Sequence, residues 1–302
     1  MKYKVGTRGS KLAQWQTDLV VSQLENIEIE KVIIKSEGDG TTTPLSESKT
    51  PGVFVTALRD ALLNSEVDFL VHSLKDLPAK PHPDLLQVAI LQREESSDCL
   101  VSAHGNLDEI PAGTLVGTSS PRRAASIKRA RPDLKVDSIR GNVETRLRKV
   151  SDGEFGATVL AYAGLKRLRL EDSITQMLDP EVFIPAPGQG AIVVECRKED
   201  AKLAETLAGL DNEDTRLIVT AERNVLVGLG ASCATPIGAL ATLNDGLLKL
   251  TAELSEELTG ASVQITERIR LGAEPFWEAE QLGLFLAERL LAHPVASKAR
   301  LN

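Results

Sequence analysis

The chain has 302 residues, and at roughly 150 residues per domain that predicts two domains or three. Hydrophobic residues make up 42% and charged residues 26%, a globular balance that excludes a disordered, collagen-like or coiled-coil chain. The net charge of -8 is unevenly spread: residues 119–149 carry ten Lys or Arg against three Asp or Glu, a local +7 that leaves -15 elsewhere, so general polyanion binding is excluded and a local anion site is expected.

Residues 1–8 lack the apolar core of a signal peptide, and no apolar run approaches the roughly 18 residues of a membrane span. Residues 3–7 read as a strand. Residues 10–24 read as an amphipathic helix (Leu12, Trp15, Leu19, Val20) with Ser10 as its N-cap. A second strand is predicted over 30–36, a Gly/Thr/Ser/Pro-rich loop over 38–52, a helix over 54–64 and a short buried strand at Phe69-Leu70-Val71. Strands alternating with helices predict parallel crossovers and an α/β sheet. The plan then repeats, with a strand at 114–120, a helix from Arg122, a helix over 143–150 and a buried strand over 157–160. Ser73-Leu74-Lys75-Asp76-Leu77 and Gly164-Leu165-Lys166-Arg167-Leu168 look like copies, one half carrying an acid where the other carries an arginine. Pro185-Ala186-Pro187-Gly188-Gln189-Gly190 reads as a stiff crossing back into the first lobe, followed by a strand over 191–195, in the manner of a hinge between two lobes. From Asp211 a separate α+β unit is expected: a helix to about Val227, a hairpin around Asn244-Asp245-Gly246, a strand over 263–271 and a closing helix over 277–291.

Two strand-to-helix turns, Gly6-Thr7-Arg8-Gly9-Ser10 and Gly117-Thr118-Ser119-Ser120-Pro121-Arg122-Arg123, can aim backbone N–H groups, hydroxyls and guanidinia at an anion. Read blandly, they are two capped helices. Neither matches a phosphate-loop or dinucleotide pattern. Arg122, Arg123, Arg140, Arg146 and Arg167 can fork onto carboxylates, whereas Lys128, Arg129, Arg131, Arg148 and Lys149 read as a solvated helix face. Nucleic acid is disfavoured because residues 119–149 contain no aromatic residue on which a base could stack. Asp76 follows a buried strand, where open α/β sheets place their ligands, though an Asp before Leu-Pro also reads as a turn former.

Cys99, Cys196 and Cys233 lie 97 and 37 residues apart, without a CxxC pair. That argues against a disulfide framework or a zinc site and for reduced thiols in the cytoplasm. Cys99 and Cys196 sit in strand-like runs and are expected to be buried and inert. Cys233 lies in the small-residue run Gly228-Leu229-Gly230-Ala231-Ser232-Cys233-Ala234-Thr235-Pro236, which suits a mobile loop. His72, His82, His104 and His293 show no metal-ligand spacing, so no metal is expected.

Taken in order, these segments resemble the hydroxymethylbilane synthase (porphobilinogen deaminase) family over essentially the whole chain. The resemblance rests on Gly6-Thr7-Arg8-Gly9-Ser10 with Trp15-Gln16, Val71-His72-Ser73-Leu74-Lys75-Asp76-Leu77-Pro78, Gly117-Thr118-Ser119-Ser120 with Arg122-Arg123, Arg140-Gly141-Asn142-Val143 with Thr145-Arg146-Leu147, Ala163-Gly164-Leu165-Lys166-Arg167-Leu168, Pro187-Gly188-Gln189-Gly190 and Cys233. It implies an α/β protein with two periplasmic-binding-protein-like lobes and a small C-terminal α+β domain. Domain 1 would span 1–93 and 190–209, domain 2 would span 97–186 and domain 3 would span 211–302. It implies a cytoplasmic, monomeric transferase that joins four porphobilinogen molecules head to tail with loss of ammonia, giving hydroxymethylbilane for haem biosynthesis. Partners other than the small-molecule substrate, whether nucleic acid or membrane, are not implied.

The cofactor implied is a dipyrromethane, thioether-linked to Cys233. Asp76 is implied as the catalytic carboxylate. Lys75, Asp76, Ser120, Arg122 and Arg123 are implied around the cofactor, and Arg8, Ser10, Arg140, Arg146 and Arg167 on substrate carboxylates, with Gln16 and Phe54 supporting. The loop Ser46-Glu47-Ser48-Lys49-Thr50-Pro51-Gly52 departs from the family's glycine-rich pattern, which puts a lid role for it in doubt. From the residues alone, a non-catalytic two-lobed anion binder shares the crossing and the anion turns, and a nucleic-acid binder comes third. The loop cysteine is what separates the enzyme from the first of these.

Overall fold

Twice the chain builds the same five-stranded sheet. The computed structural model describes residues 2–25, 27–35, 53–231 and 235–299, with Val53 and Phe54 described by backbone alone. The first half contributes β1 (Lys2–Thr7), α1 (Lys11–Ser22), β2 (Glu28–Ile33), α2 (Val53–Leu63), β3 (Phe69–Ser73) and β4 (Leu85–Ile90). The second contributes β5 (Asp98–Ser102), β6 (Leu115–Gly117), α3 (Pro121–Ala130), β7 (Lys135–Asp137), α4 (Val143–Ser151), β8 (Ala157–Ala161), α5 (Tyr162–Arg167) and β9 (Gln176–Met177). The chain then returns through β10 (Ile192–Arg197) and α6 (Ala201–Ala208). The sheet orders are β2-β1-β3-β10-β4 and β7-β6-β8-β5-β9.

Each sheet has three parallel strands extended by two antiparallel steps. The parallel strands are the expected crossovers; the antiparallel steps come from β10 and β5, the strands that cross between lobes, each entering its sheet from the opposite end. The antiparallel partners lie far apart in sequence, as with Cys196 opposite Phe69.

The sheet registers correct the internal repeat. Gly6 lies opposite Leu70, and Gly117 opposite Thr158. Carried along the strands, that register equates Ser73 with Ala161 rather than Gly164. Lobe 1 follows β3 with the 3-10 turn Leu74–Asp76, whereas lobe 2 follows β8 with the longer α5. The similar-looking motif is therefore displaced by about one turn.

Apolar faces close each lobe. In lobe 1, Val5, Val20, Phe69, Val71 and Leu207 pack on one face of the sheet, and Leu58, Leu62 and Leu70 on the other. In lobe 2, Val116, Ile127 and Val159 fill one face, and Cys99, Leu160 and Leu165 the other. Ser10 caps α1 by accepting from the Ala13 N–H (3.3 Å), and Ser120 caps α3 by accepting from the Arg123 N–H (3.5 Å).

The third unit comprises α7 (Glu213–Gly228), β11 (Ile237–Asn244), β12 (Leu247–Ser255), β13 (Ser262–Arg270) and α8 (Pro275–Leu291), with sheet order β11-β12-β13. Asp245 and Gly246 both have positive φ (49° and 73°), the two-residue turn that matches strand twist in a hairpin. The helices α7 and α8 pack on this sheet around Leu217, Val225, Leu250 and Leu286. Gly283 lets them approach, because a Cβ there would collide with the Ala221 carbonyl.

One further expectation is corrected here. Lys128 and Arg129 are not a solvated face: Lys128 donates to the Glu257 carbonyl (3.0 Å), and Arg129 pairs with Glu253 (2.9 Å) and donates to Ser262 and the Val182 carbonyl. They attach lobe 2 to the third unit. Arg131 likewise closes its own lobe, donating to the Leu107 and Ile110 carbonyls. Among the described residues no helix is long and apolar enough to cross a membrane.

Candidate active site

The cleft takes one wall from each lobe. On the lobe 1 side, Gln16 of α1 donates to Ser73 Oγ (2.8 Å), fixing the end of β3. Leu74 and Leu77 are fully buried and pin the turn between them. Lys75 is consequently half-buried, and Asp76 is exposed. Arg223 of α7 donates to the Leu74 and Pro78 carbonyls, holding this turn from the third unit. Arg8 lies close enough to His72, on β3, to act on its charge.

On the lobe 2 side, Arg122 and Arg123 occupy the first turn of α3, behind Ser120 and Pro121. Both are buried over Asp98, the first residue of β5 and itself fully buried. Arg122 Nη2 reaches Asp98 Oδ2 at 2.8 Å, and Arg123 Nη2 reaches Oδ1 at 2.7 Å. Burial alone would raise the Asp98 pKa, but the two guanidinia overcome it and hold the carboxyl well below the usual carboxylate range. Arg122 also donates to the Ile184 carbonyl (2.9 Å), so it points inward.

Asn142 caps α4 by accepting from the Thr145 N–H (2.9 Å), and Arg146 donates from Nε to the Gly141 carbonyl (2.9 Å). Burial, then Arg123 and Arg140, push the Arg146 guanidinium down to about 10, with Asp76 opposing. Burial likewise lowers Arg140. Arg167 donates to the Gly190 carbonyl (2.5 Å) and lies over the Trp15 ring at 5.8 Å, joining α5 of lobe 2 to α1 of lobe 1; burial pushes it down to about 10, with Glu94 opposing.

Arg123 and Asp76 each act on the charge of both Lys75 and Arg146, and Arg140 on that of Arg146, so these five charged groups from the two lobes lie near one another. Arg122 and Arg167 carry protein contacts of their own, and the Ser10 and Ser120 hydroxyls serve as helix caps. Cys233, the Phe54 side chain and the loop 46–52 lie outside what is described.

Sequence reasoning missed three residues here. Asp98 opens an otherwise apolar strand, Asp98-Cys99-Leu100-Val101, and an acid at that position was the available signal. Gln189 lies within the crossing motif, where only the backbone drew notice. Glu222 of α7 is fully buried and accepts from Arg93 (2.6 and 3.1 Å), the Gly188 N–H (2.7 Å) and the Ala241 N–H (2.8 Å), and Arg93 Nε donates to the Gln189 carbonyl (2.8 Å). One carboxylate from the third unit therefore ties both crossings between the lobes. Gly190, at φ 89°, is held so close to the other crossing that a Cβ would meet the Glu94 carbonyl.

Residues 3–205 match the family described as porphobilinogen deaminase, dipyromethane cofactor binding domain, and residues 216–292 match porphobilinogen deaminase, C-terminal domain. The chain is 46% identical over 257 residues to the porphobilinogen deaminase of Acidothermus cellulolyticus, covering 82% of this chain and 78% of that one. It is 43% identical over 306 residues to that of Leifsonia xyli, covering 98% and 92%. It is also 43% identical over 283 residues to that of Corynebacterium diphtheriae, covering 93% and 95%. Among solved structures, similarity extends to an ancestral cationic amino acid solute binding protein, with TM-score 0.43 and 15% identity over 69% of this chain and 87% of that one.

Proposed function

The chain belongs to the porphobilinogen deaminase family, and from that premise we propose how its own residues divide the reaction. The enzyme is a transferase of tetrapyrrole biosynthesis that condenses porphobilinogen with release of ammonia on a dipyrromethane cofactor. When bound, that cofactor supplies the pyrrole end onto which units are added. The residues fit such a group. Its acetate and propionate side chains need cations, and here Lys75, Arg123, Arg140 and Arg146 surround the carboxylates Asp76 and Asp98, leaving positive charge in surplus.

In this reading Lys75, Ser120 and Arg123 hold cofactor carboxylates. Arg122 works one step behind, because its contacts with Asp98 and Ile184 steady Arg123. Arg8, Ser10, Arg140, Arg146 and Arg167 receive carboxylates of the incoming or elongating units, with Gln16 and Phe54 in support. Asp76 accepts pyrrole N–H groups and offsets the cation left on porphobilinogen when ammonia departs. What supports this assignment most is the exposed carboxylate of lobe 1 set against Arg146 of lobe 2.

Cys233 is the proposed anchor. The alternatives are poorly suited: burial pushes the Cys99 thiol up to about 12 and the Cys196 thiol up to about 11, so neither forms a thiolate readily. Intact mass of the purified protein should exceed the sequence mass by two linked pyrrole units. Cys233→Ser should give the bare mass and no product, while Cys99→Ser and Cys196→Ser keep the adduct. An adduct mapped to Cys99 or Cys196 would overturn the assignment. The cytoplasmic reading rests on three cysteines without a pairing pattern and the monomeric one on the family resemblance, and a sedimentation measurement checks the monomer.

A further inference from the structure

The division of roles above leaves Gln189 unused, although its side chain touches both Lys75 of lobe 1 and Arg123 of lobe 2. It is fully buried, between Gly188 and Gly190 in the crossing. Nε2 donates to the Ser96 carbonyl (2.6 Å) and to Asp98 Oδ1 (2.9 Å). Oε1 accepts from Lys75 Nζ of lobe 1 (3.1 Å) and from Arg123 Nη2 of lobe 2 (3.3 Å). With both amide hydrogens engaged on one side, the orientation of the group is fixed and the oxygen must face the two cations. A carboxylate in the same place would bind them more strongly, but it would also cancel one positive charge.

We infer that Gln189 is a positioning residue that aims Lys75 and Arg123 into the cleft while leaving both charges uncancelled for the carboxylates of a bound ligand. This rests on the reading that those two cations hold carboxylates. Among the described residues the charged groups that act on Lys75 are Asp76 on its own turn, Asp98 on β5, and Arg122 and Arg123 on α3. Burial, then Arg123, push its ammonium down to about 8, against the pull of Asp76 and Asp98. Below that pH Lys75 is already charged, and a carboxylate binds without taking up a proton. Above it, binding must bring a proton from solution, so affinity falls by up to about tenfold per pH unit. The amide oxygen stabilises the charged form without neutralising it.

The test is the pH dependence of cofactor loading: the full chain made without the cofactor is given porphobilinogen across the neutral and alkaline range, and the half-loading concentration is read from intact mass, with the thermal midpoint measured on the same samples. Wild type should show an alkaline rise in that concentration beginning near pH 8. Gln189→Glu should move that rise to higher pH and raise the half-loading concentration at neutral pH by about tenfold, the cost of one cancelled charge. Gln189→Met, which adds no charge and keeps the bulk, should move the rise to lower pH because the acceptor is gone. A role confined to packing the crossing would lower the thermal midpoint of both variants and shift the rise in neither. Unshifted profiles, or shifts in the same direction, overturn the inference. Lys75→Arg separates the two levels: its rise should vanish, because arginine stays charged. A rise unchanged in that variant would overturn the placement of Lys75 on a carboxylate rather than the role of Gln189 alone.

Discussion

The two lobes share a strand plan, a serine-capped first helix and a buried carboxylate under arginine, yet lobe 1 brings the carboxylate Asp76 beside its cation Lys75, whereas lobe 2 brings the cations Arg123, Arg140 and Arg146. In lobe 1 the buried acid is Glu195 of β10, held by Arg59 of α2 (2.7 and 3.0 Å) and 3.5 Å from the buried His72, which burial pushes down to about 4. That pair lies within the lobe, and the acid presented outward is Asp76. In lobe 2 the buried acid is Asp98, and the arginine beside it faces the cleft. A common scaffold therefore settles neither chemistry. What distinguishes the lobes is whether a carboxylate is left facing outward at the strand ends, as Asp76 is in lobe 1.

Removing the two buried acids should give the largest effects and breaks the comparison at its base. Asp98→Asn and Glu195→Gln each leave a buried guanidinium short of its counter-charge, which typically costs about 3–5 kcal/mol. Denaturant unfolding should register both. Intact mass should register only Asp98→Asn, as reduced cofactor content, because only Asp98 steadies a cation of the cleft. Equal adduct in both variants would mean that the lobes differ less than their geometry suggests.

Asp76→Asn tests the outward acid. Opposite charges about 4 Å apart at an effective dielectric of about 20 attract by roughly 4 kcal/mol, of which water and the amide dipole recover part. Turnover should fall by two decades or more, at about 1.4 kcal/mol per decade, while porphobilinogen still binds. Near-native turnover would remove the need for a carboxylate here.

Fold and site were legible in the sequence to different depths. Periodicity and turn residues revealed the β1–α1 and β6–α3 turns, the Ser10 cap and the Asp245-Gly246 hairpin, because each is decided within a few residues. The antiparallel strands were not legible as such, since β10 finds its neighbours more than a hundred residues away. The same holds for charge. Arg122 and Arg123 are adjacent in sequence and were read alike, but about 100° of helical rotation separates them and turns Arg122 inward. Arg129 looked solvated because its partner, Glu253, belongs to another unit.

The cleft arginines should sharpen the comparison at an intermediate size. Arg123→Leu and Arg146→Leu each lose a charge-assisted contact, about 1.5–3 kcal/mol. The first should lower cofactor occupancy. The second should leave the adduct and stall elongation, visible when enzyme forms are separated after limiting porphobilinogen. Identical stopping points would dissolve the distinction between the two arginines. Smallest are the caps: Ser10→Ala and Ser120→Ala should each cost about 1 kcal/mol of stability. A rise in KM beyond that loss would assign the hydroxyls to ligand as well as helix.

The sheet orders also set a timetable for synthesis. Every strand of the second lobe has left the ribosome once Met177 has emerged. In the first lobe, β4 has no hydrogen-bonded neighbour until β10 is inserted between it and β3, and β10 ends at Arg197. The segment made first is thus the one that must wait, holding an open sheet edge while its successor closes. An N-terminal unit ordinarily folds first during synthesis. Here the later half can finish ahead of the earlier one, and the interval between them is when the nascent chain is most exposed to mispairing and most in need of a chaperone.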